Sequence, residues 1–335
     1  MAPSANAKLT VAVTGPTGTF GFGLIPLLED SEQVGRVIGM ARRPFDPAEH
    51  GWHKMEYRQG DVREPQALQD AFDGADVVVH LAFLITGNAS RETIREINIE
   101  GTLNTFRAAA AAGAKRFVYA SSVAAYGFHR DNPIGMTEEW PSRPADRLFY
   151  AQEKAEIEEL LGDAAGAHPD LGLYLLRPPI VLGPHAVGAK NLLPGGLDRV
   201  AGPLAGALTK RRLPLPVPAP TLPVQFIHEE DVGLAFLQSI LGVGPPGTYN
   251  IAADGVMTGA EVVKEMGFVP VAIPGGPIAG AARAISRLPV PLPPAAEWVE
   301  AVSHPAIMDT AQAKKKLKWH PRYTAAEALR DTLRR

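Results

Sequence analysis

Thr14-Gly15-Pro16-Thr17-Gly18-Thr19-Phe20-Gly21 decides how the rest of the chain is read. It follows Leu9–Val13, a short apolar run with the character of a buried strand. It leads into Phe22, Leu24, Ile25, Leu27 and Leu28, spaced along one face of a helix. A glycine-rich turn between such elements has a specific use. Gly15 permits the tight turn, Gly18 lets the backbone approach a pyrophosphate, and Gly21 lets the helix pack closely on the strand. The phosphates then sit at the helix N-terminus, where free N–H groups and the helix dipole favour negative charge. Gly15, Thr17, Gly18, Thr19, Phe20 and Gly21 are therefore the expected cradle for a dinucleotide. The spacing is T-G-x-x-G-x-x-G, and in a chain with 33 glycines a triplet alone says little. Strand, turn and helix in this order favour the dinucleotide over an ordinary strand-to-helix turn.

Outward from this stretch, strand and helix patterns alternate from Lys8 to about Arg177, as in a parallel sheet covered by helices on both faces. Arg36–Met40 reads as the second strand and ends in Ala41-Arg42-Arg43-Pro44. A carboxylate here would accept from an adenosine ribose 2′-hydroxyl; two guanidinium groups instead suit a 2′-phosphate, and so NADP, with NAD as the alternative. A solvated basic loop is the plainer reading of the same residues. Met55–Val62 is the third strand, and Asp61 at its end is placed to accept from an adenine amino group or simply to form a turn. Pro65 opens a short helix. Asp76–Ala82 is a continuous apolar strand in which His80 reads as a packed histidine. Ser90 caps a long helix to Ala112, and Asn98 on its buried side is either a member of a structural network or a cofactor contact.

Lys115–Ala120 is the fifth strand, and Ser121-Ser122 follow at its C-terminal end, where parallel sheets place ligands. Tyr150 and Lys154 share one helix face at i,i+4 spacing. A free phenol has a pKa near 10, too high for easy proton exchange at neutral pH, and a fixed positive charge beside it lowers that value.

Together these motifs resemble the extended short-chain dehydrogenases/reductases, the group of NAD-dependent epimerases and dehydratases. The resemblance rests on Thr14–Gly21, Gly60-Asp61-Val62, Val79-His80-Leu81-Ala82, Asn98 to Thr102, Ser121-Ser122 before Tyr126-Gly127, and Tyr150 with Lys154. Leu176-Arg177-Pro178-Pro179 before Gly183-Pro184, and Phe226-Ile227-His228 before Asp231-Val232, also fit. It covers Leu9 to about Val232 well and the remainder weakly. It implies Tyr150 as proton donor or acceptor, with Lys154 binding the nicotinamide ribose and tuning the phenol. Ser122, five residues before Gly127, is implied as the donor that orients the reacting oxygen. Asp61, Val62, Leu81, Ala82, Phe83, Asn98 and Pro179 would line the cofactor. The chain departs from the family pattern at Phe83, where a small residue is usual, at Ala41-Arg42, where an acidic residue is common, and at Pro26, which should bend the first helix.

The implied fold is α/β, a doubly wound parallel (Rossmann) sheet of residues 8–182 and 221–253, with a smaller substrate lobe of residues 183–220 and 254–335. Thr221–Ile227 and Asp231–Leu241 are expected to rejoin the first domain as strand and helix. The proline-dense Leu213–Pro220 and Leu288–Pro294 read as packed loops of the lobe. Gly188, Gly195, Gly196 and Gly202 are candidate hinges of a lid or plain turn formers. Lys314–Lys318 reads as a solvated helix face.

A net charge of −3 gives no general reason to expect nucleic acid or an acidic membrane as partner. The absence of cysteine excludes disulfides and thiol chemistry. No histidine spacing suits a metal. The apolar window Leu192–Leu208 is broken by Asp198, Arg199 and two prolines, so it is not a membrane span. A cytoplasmic protein with a small-molecule substrate is expected, and a homodimer is left open. Three functions remain: a reductase or dehydrogenase acting on a largely apolar carbonyl or alcohol, a nucleotide-sugar epimerase or dehydratase that retains NAD, and a non-catalytic dinucleotide sensor. In sugar-nucleotide members of the resembled family an arginine before the Asp-Tyr-Ile-His segment binds the diphosphate; Val224 stands in that place here. Lys190 or Lys210-Arg211-Arg212 would be the substitutes.

Overall fold

The computed structural model of the protein describes residues 8–85, 89–186, 216–273 and 304–334. The first half alternates as expected. Its strands are β1 (Leu9–Thr14), β2 (Val34–Ala41), β3 (Met55–Gln59), β4 (Val77–His80), β5 (Arg116–Ala120) and β6 (Gly172–Arg177). Between them lie α1 (Thr19–Asp30), α2 (Pro65–Phe72), α3 (Arg91–Arg95), α4 (Gly101–Ala111) and α5 (Phe149–Ala167). The second half adds β7 (Ile180–Leu182), β8 (Pro216–Pro220), β9 (Pro223–Val224), β10 (Phe226–His228), α6 (Glu229–Leu241) and β11 (Gly247–Asn250). Next come β12 (Met257–Thr258), α7 (Gly259–Glu265), β13 (Val269–Ile273), α8 (Ala311–Lys316) and α9 (Ala325–Leu333).

Seven strands form one parallel sheet in the order β11-β6-β5-β4-β1-β2-β3. In the central strands β1, β4 and β5 both faces are buried, which is why these read as apolar runs. Within β1, Val11 and Val13 join the core under α1 and α6, while Ala12 joins the opposite core under α2, α4 and α5. The order reverses between β1 and β4. A crevice opens there at the C-terminal strand ends, the usual ligand position in such sheets.

Several expectations change in detail. The segment Phe226–His228 does not join the main sheet; it pairs in parallel with β7 as a separate two-stranded unit. The following helix does return: α6 packs on α1 at backbone distance, because a β-carbon on Gly233 would run into the carbonyl of Gly23, and one on Gly23 into that of Glu229. Pro216–Pro220 is a strand, not a loop, paired in parallel with β13. Alternating prolines leave Val217 and Ala219 as the only N–H donors of the segment, enough for a strand that pairs on one edge. The long helix from Ser90 widens for one turn over Glu96–Glu100, which carries Asn98. Helix α1 runs through the exposed Pro26 without a break. The lid glycines Gly188, Gly195, Gly196 and Gly202 lie outside the described residues. So do Lys190, Lys210, Arg211, Arg212, the window 192–208 and the proline run 288–294. Among the described residues no helix is long and apolar enough to cross a membrane.

Candidate active site

The glycine turn stands at the crevice. Gly15 has φ +71°, and a β-carbon there would come within 2.8 Å of the Ala82 backbone nitrogen, so the turn and the loop after β4 meet backbone to backbone. Gly21 needs hydrogen for a different reason from the one its spacing suggests: a β-carbon would strike Pro16 of the turn itself, not the strand. Gly18 is the N-cap of α1, and the only atom within 4 Å of its absent side chain is the Gly15 oxygen at 3.6 Å. The helix begins with no side-chain cap and no acidic residue in its first turn. Free N–H groups, open space and no competing carboxylate fit a pyrophosphate. The Thr19 hydroxyl is turned away from the turn and donates to the His185 carbonyl at 2.9 Å. Phe20 points its ring at Phe236, with ring centroids 6.3 Å apart.

Arg42 and Arg43 are exposed at the end of β2, and among the described residues neither forms an ion pair. Their backbone carbonyls are held, Arg42 by Gln59 Nε2 at 3.0 Å and Arg43 by the Tyr57 hydroxyl. Asp61 is engaged differently from its expected adenine contact: Arg63 grips its carboxylate through Nε at 3.1 Å and Nη2 at 2.7 Å. Chiefly for that reason its carboxyl is held below the usual carboxylate range, with Arg42 adding a smaller push. Val62 is buried against Gly101, where a β-carbon would meet its side chain at 2.5 Å.

On the other wall, the backbone of Leu81 donates to the Thr14 carbonyl at 3.0 Å, which ties the loop Leu81-Ala82-Phe83-Leu84 to β1. Asn98 fixes the far end of that loop. Its Oδ1 accepts from Leu84 N at 2.8 Å, and its Nδ2 donates to Leu84 O at 3.0 Å and to Glu153 Oε2 at 2.7 Å. Both of its amide protons and its oxygen are engaged within the protein, so the network role is the one the geometry supports. Glu153 is buried, its Oε1 has no partner, and burial raises its pKa. His80 is fully buried between the hydroxyls of Thr14 at 2.7 Å and Thr102 at 2.9 Å. Burial, aided by the charge of Lys154, drives its pKa down to about 3, so the ring is neutral.

The two serines after β5 separate clearly. Ser121 donates to Glu158, which forms a buried pair with Arg177. Ser122 lies against Tyr150, where its side chain acts to lower the phenol's pKa, while its Oγ accepts from Ala124 N at 3.1 Å. Tyr150, in the first turn of α5, has its pKa pushed up to about 12 by burial, against the opposing effect of Ser122. This corrects the expectation that Lys154 lowers it. Lys154 is turned toward β5, donating to Ala120 O at 2.6 Å and Tyr119 OH at 3.0 Å. Its own pKa falls to about 7, driven by burial and opposed by Glu158 and Glu153. Pro179 is half-buried in the link from β6 to β7, beside Pro178, whose carbonyl accepts from Val123 N at 2.9 Å.

Tyr119, Glu153 and His185 were not singled out in the sequence. Tyr119 carried a usable signal: strand alternation from Ser121 puts it on the same face as the helix of Lys154. His185 carried none, since its contact with Thr19 spans 166 positions. Among the described residues no group of three His, Asp or Glu side chains is arranged to hold a metal.

A glycine turn, a serine and a Tyr–Lys pair gathered at one crevice of a doubly wound sheet define a dinucleotide-dependent enzyme. The chain belongs to the NAD-dependent epimerase/dehydratase family of extended short-chain dehydrogenases/reductases, whose profile matches residues 11–252. It is similar to protein Rv0501 of Mycobacterium tuberculosis, 27% identical over 330 residues that cover 97% of this chain and 83% of that one. It is also similar to human 3 beta-hydroxysteroid dehydrogenase type 7, 34% identical over 201 residues, 55% of this chain and 53% of that one. Among solved structures, MoeE5 in complex with UDP-glucuronic acid and NAD superposes with a TM-score of 0.69 at 24% identity, covering 97% of both chains. That likeness is one of fold.

Proposed function

We propose that the protein is an NADP-dependent oxidoreductase that reduces a carbonyl, or oxidises the matching secondary alcohol, on a small and largely apolar substrate. The observation that carries the chemistry is the placement of Ser122 against Tyr150 at the crevice beside the glycine turn. A bound nicotinamide supplies or accepts the hydride. Ser122 holds the reacting oxygen, and Tyr150 hands it a proton. With its pKa raised to about 12, Tyr150 is protonated at neutral pH, the state a donor to a developing alkoxide needs. Lys154 anchors the nicotinamide ribose. Arg42, with Arg43 beside it, meets the 2′-phosphate as a charge-assisted partner.

The apolar substrate class is supported by Val224. It packs among Ile180, Leu182, Phe226 and Met257, so this place offers a hydrocarbon surface where a diphosphate would need a cation. The similarity to a hydroxysteroid dehydrogenase points the same way. The fold-level likeness to a protein holding a UDP-sugar and NAD keeps one rival, an epimerase or dehydratase that retains NAD.

The test is reduction of a panel of hydrophobic ketones and aldehydes with NADPH, beside calorimetry with UDP, dTDP and CDP. Turnover on the panel is expected, lost about 10²–10⁴-fold in Tyr150→Phe with dinucleotide affinity preserved. Micromolar binding of a nucleoside diphosphate with no reduction across the panel would establish the rival instead.

A further inference from the structure

The ammonium of Lys154 has three protons to place. Two go to fixed acceptors on β5, the Ala120 carbonyl and the Tyr119 hydroxyl. The third faces the ring of Phe83, whose centroid lies 3.7 Å from Nζ. The rings of Tyr119 at 4.7 Å and Tyr150 at 5.9 Å complete an aromatic surround. Lys154 is thus saturated inside the protein, and another acceptor enters only by replacing one of the three.

The three differ in how they can yield. Ala120 and Tyr119 belong to a central strand paired on both sides. Phe83 belongs to the loop after β4, whose backbone is pinned at Leu81 by Thr14 and at Leu84 by Asn98. The loop holds its path, so the Phe83 side chain, half-buried at the rim of the core and edge-on to Tyr150 at 5.6 Å, would leave Lys154 by a change of rotamer alone. A cation–ring contact is also the weakest of the three bonds to break. A small side chain at position 83 would leave the third proton unclaimed.

We propose that Phe83 is a displaceable cap on Lys154, surrendering the ammonium to a ribose hydroxyl when the dinucleotide binds and so keeping the cofactor exchangeable. This rests on the role of Lys154 given under Proposed function.

The experiment compares the parent with Phe83→Leu, which keeps apolar bulk without a π face, and Phe83→Tyr, which keeps the face. Calorimetry and stopped-flow fluorescence with NADP(H) and NAD(H) give affinity and dissociation rate. Phe83→Leu should bind about 2- to 30-fold tighter, the range that loss of a competing cation–π contact spans, with Phe83→Tyr close to the parent. In the parent, the share of the Lys154 ε-methylene ring-current shift that Phe83 contributes, read as the difference between the parent and Phe83→Leu, should be lost on saturation with NADP, leaving the shares of Tyr119 and Tyr150. Unchanged or weaker binding in a folded Phe83→Leu, or a Phe83 share of the ring-current shift that survives saturation, overturns the cap. If the parent binds neither dinucleotide, the function proposed above fails, and the cap with it.

Discussion

Replacing Asn98 with alanine separates a structural amide from a cofactor ligand. The side chain makes two hydrogen bonds to the Leu84 backbone and one to the buried carboxylate of Glu153. The two neutral bonds are worth about 1 kcal/mol each, and the one to a charged group about 1.5–3 kcal/mol. Glu153 would then be left without a partner on either oxygen, since Oε1 already has none. The total is about 3.5–5 kcal/mol, a large share of the roughly 5–15 kcal/mol that holds a folded domain together. Urea unfolding followed by tryptophan fluorescence reads this directly. A double variant with Glu153→Gln should recover about 2 kcal/mol, because the stranded group is no longer a carboxylate. Dinucleotide affinity, measured where the variant remains folded, should fall less than about tenfold, which is about 1.4 kcal/mol. An unchanged urea midpoint with affinity lost a hundredfold would refute the reasoning and make Asn98 a direct ligand.

Three other outcomes are expected. Arg42→Ala should weaken NADP(H) by about one to two decades and leave NAD(H) nearly unchanged, the size of one charge-assisted hydrogen bond; calorimetry showing equal loss for both cofactors would remove Arg42 from the 2′-phosphate. Gly233→Ala should cost about 3 kcal/mol or more in urea unfolding, because its β-carbon meets the Gly23 carbonyl and neither helix can back away without opening the core. His80 should stay neutral in ring ¹⁵N spectra down to pH 5. Its folded pKa of about 3 lies below the ordinary 6.5, so the unfolded chain takes up the proton first. Its contribution to stability is therefore whole above 6.5 and is lost at about 1.4 kcal/mol per pH unit on the way down to 3. A titration midpoint near 6 would show that the Thr14 and Thr102 contacts do not bury the ring as described.

Much of this was written locally in the chain. The turn from Thr14 to Gly21, the apolar runs of β1, β4 and β5, and the Tyr150–Lys154 spacing each depend on neighbours within a few residues, and each formed where expected. Of the two adjacent serines, Ser121 is taken by Glu158, which the local sequence did not report. What was not legible depends on partners far away. The orientation of Lys154 is decided by Tyr119, 35 positions before it, and the state of Tyr150 by burial, which spacing does not report. The fate of Phe226–His228 turned on β7 offering an edge away from the main sheet. The proline run became a strand because β13 lay beside it.

Helix α6 is held from behind by a segment made much later. Asp231 accepts from the backbone of Arg322 at 2.7 Å and of Tyr323 at 3.1 Å, and the fully buried Trp319 donates its indole N–H to the Asp231 carbonyl at 2.8 Å. The same helix touches α1, whose first turn is the phosphate cradle. During synthesis, then, a ribosome will have finished every strand of the seven-stranded sheet before it makes the residues that clamp the nucleotide-binding face. A nascent chain stopped short of Trp319 carries all the motifs of a dinucleotide enzyme and leaves α6 with an open apolar back. Closing so many sequence-distant contacts is slow, and until it is done that exposed face is one a chaperone would recognise.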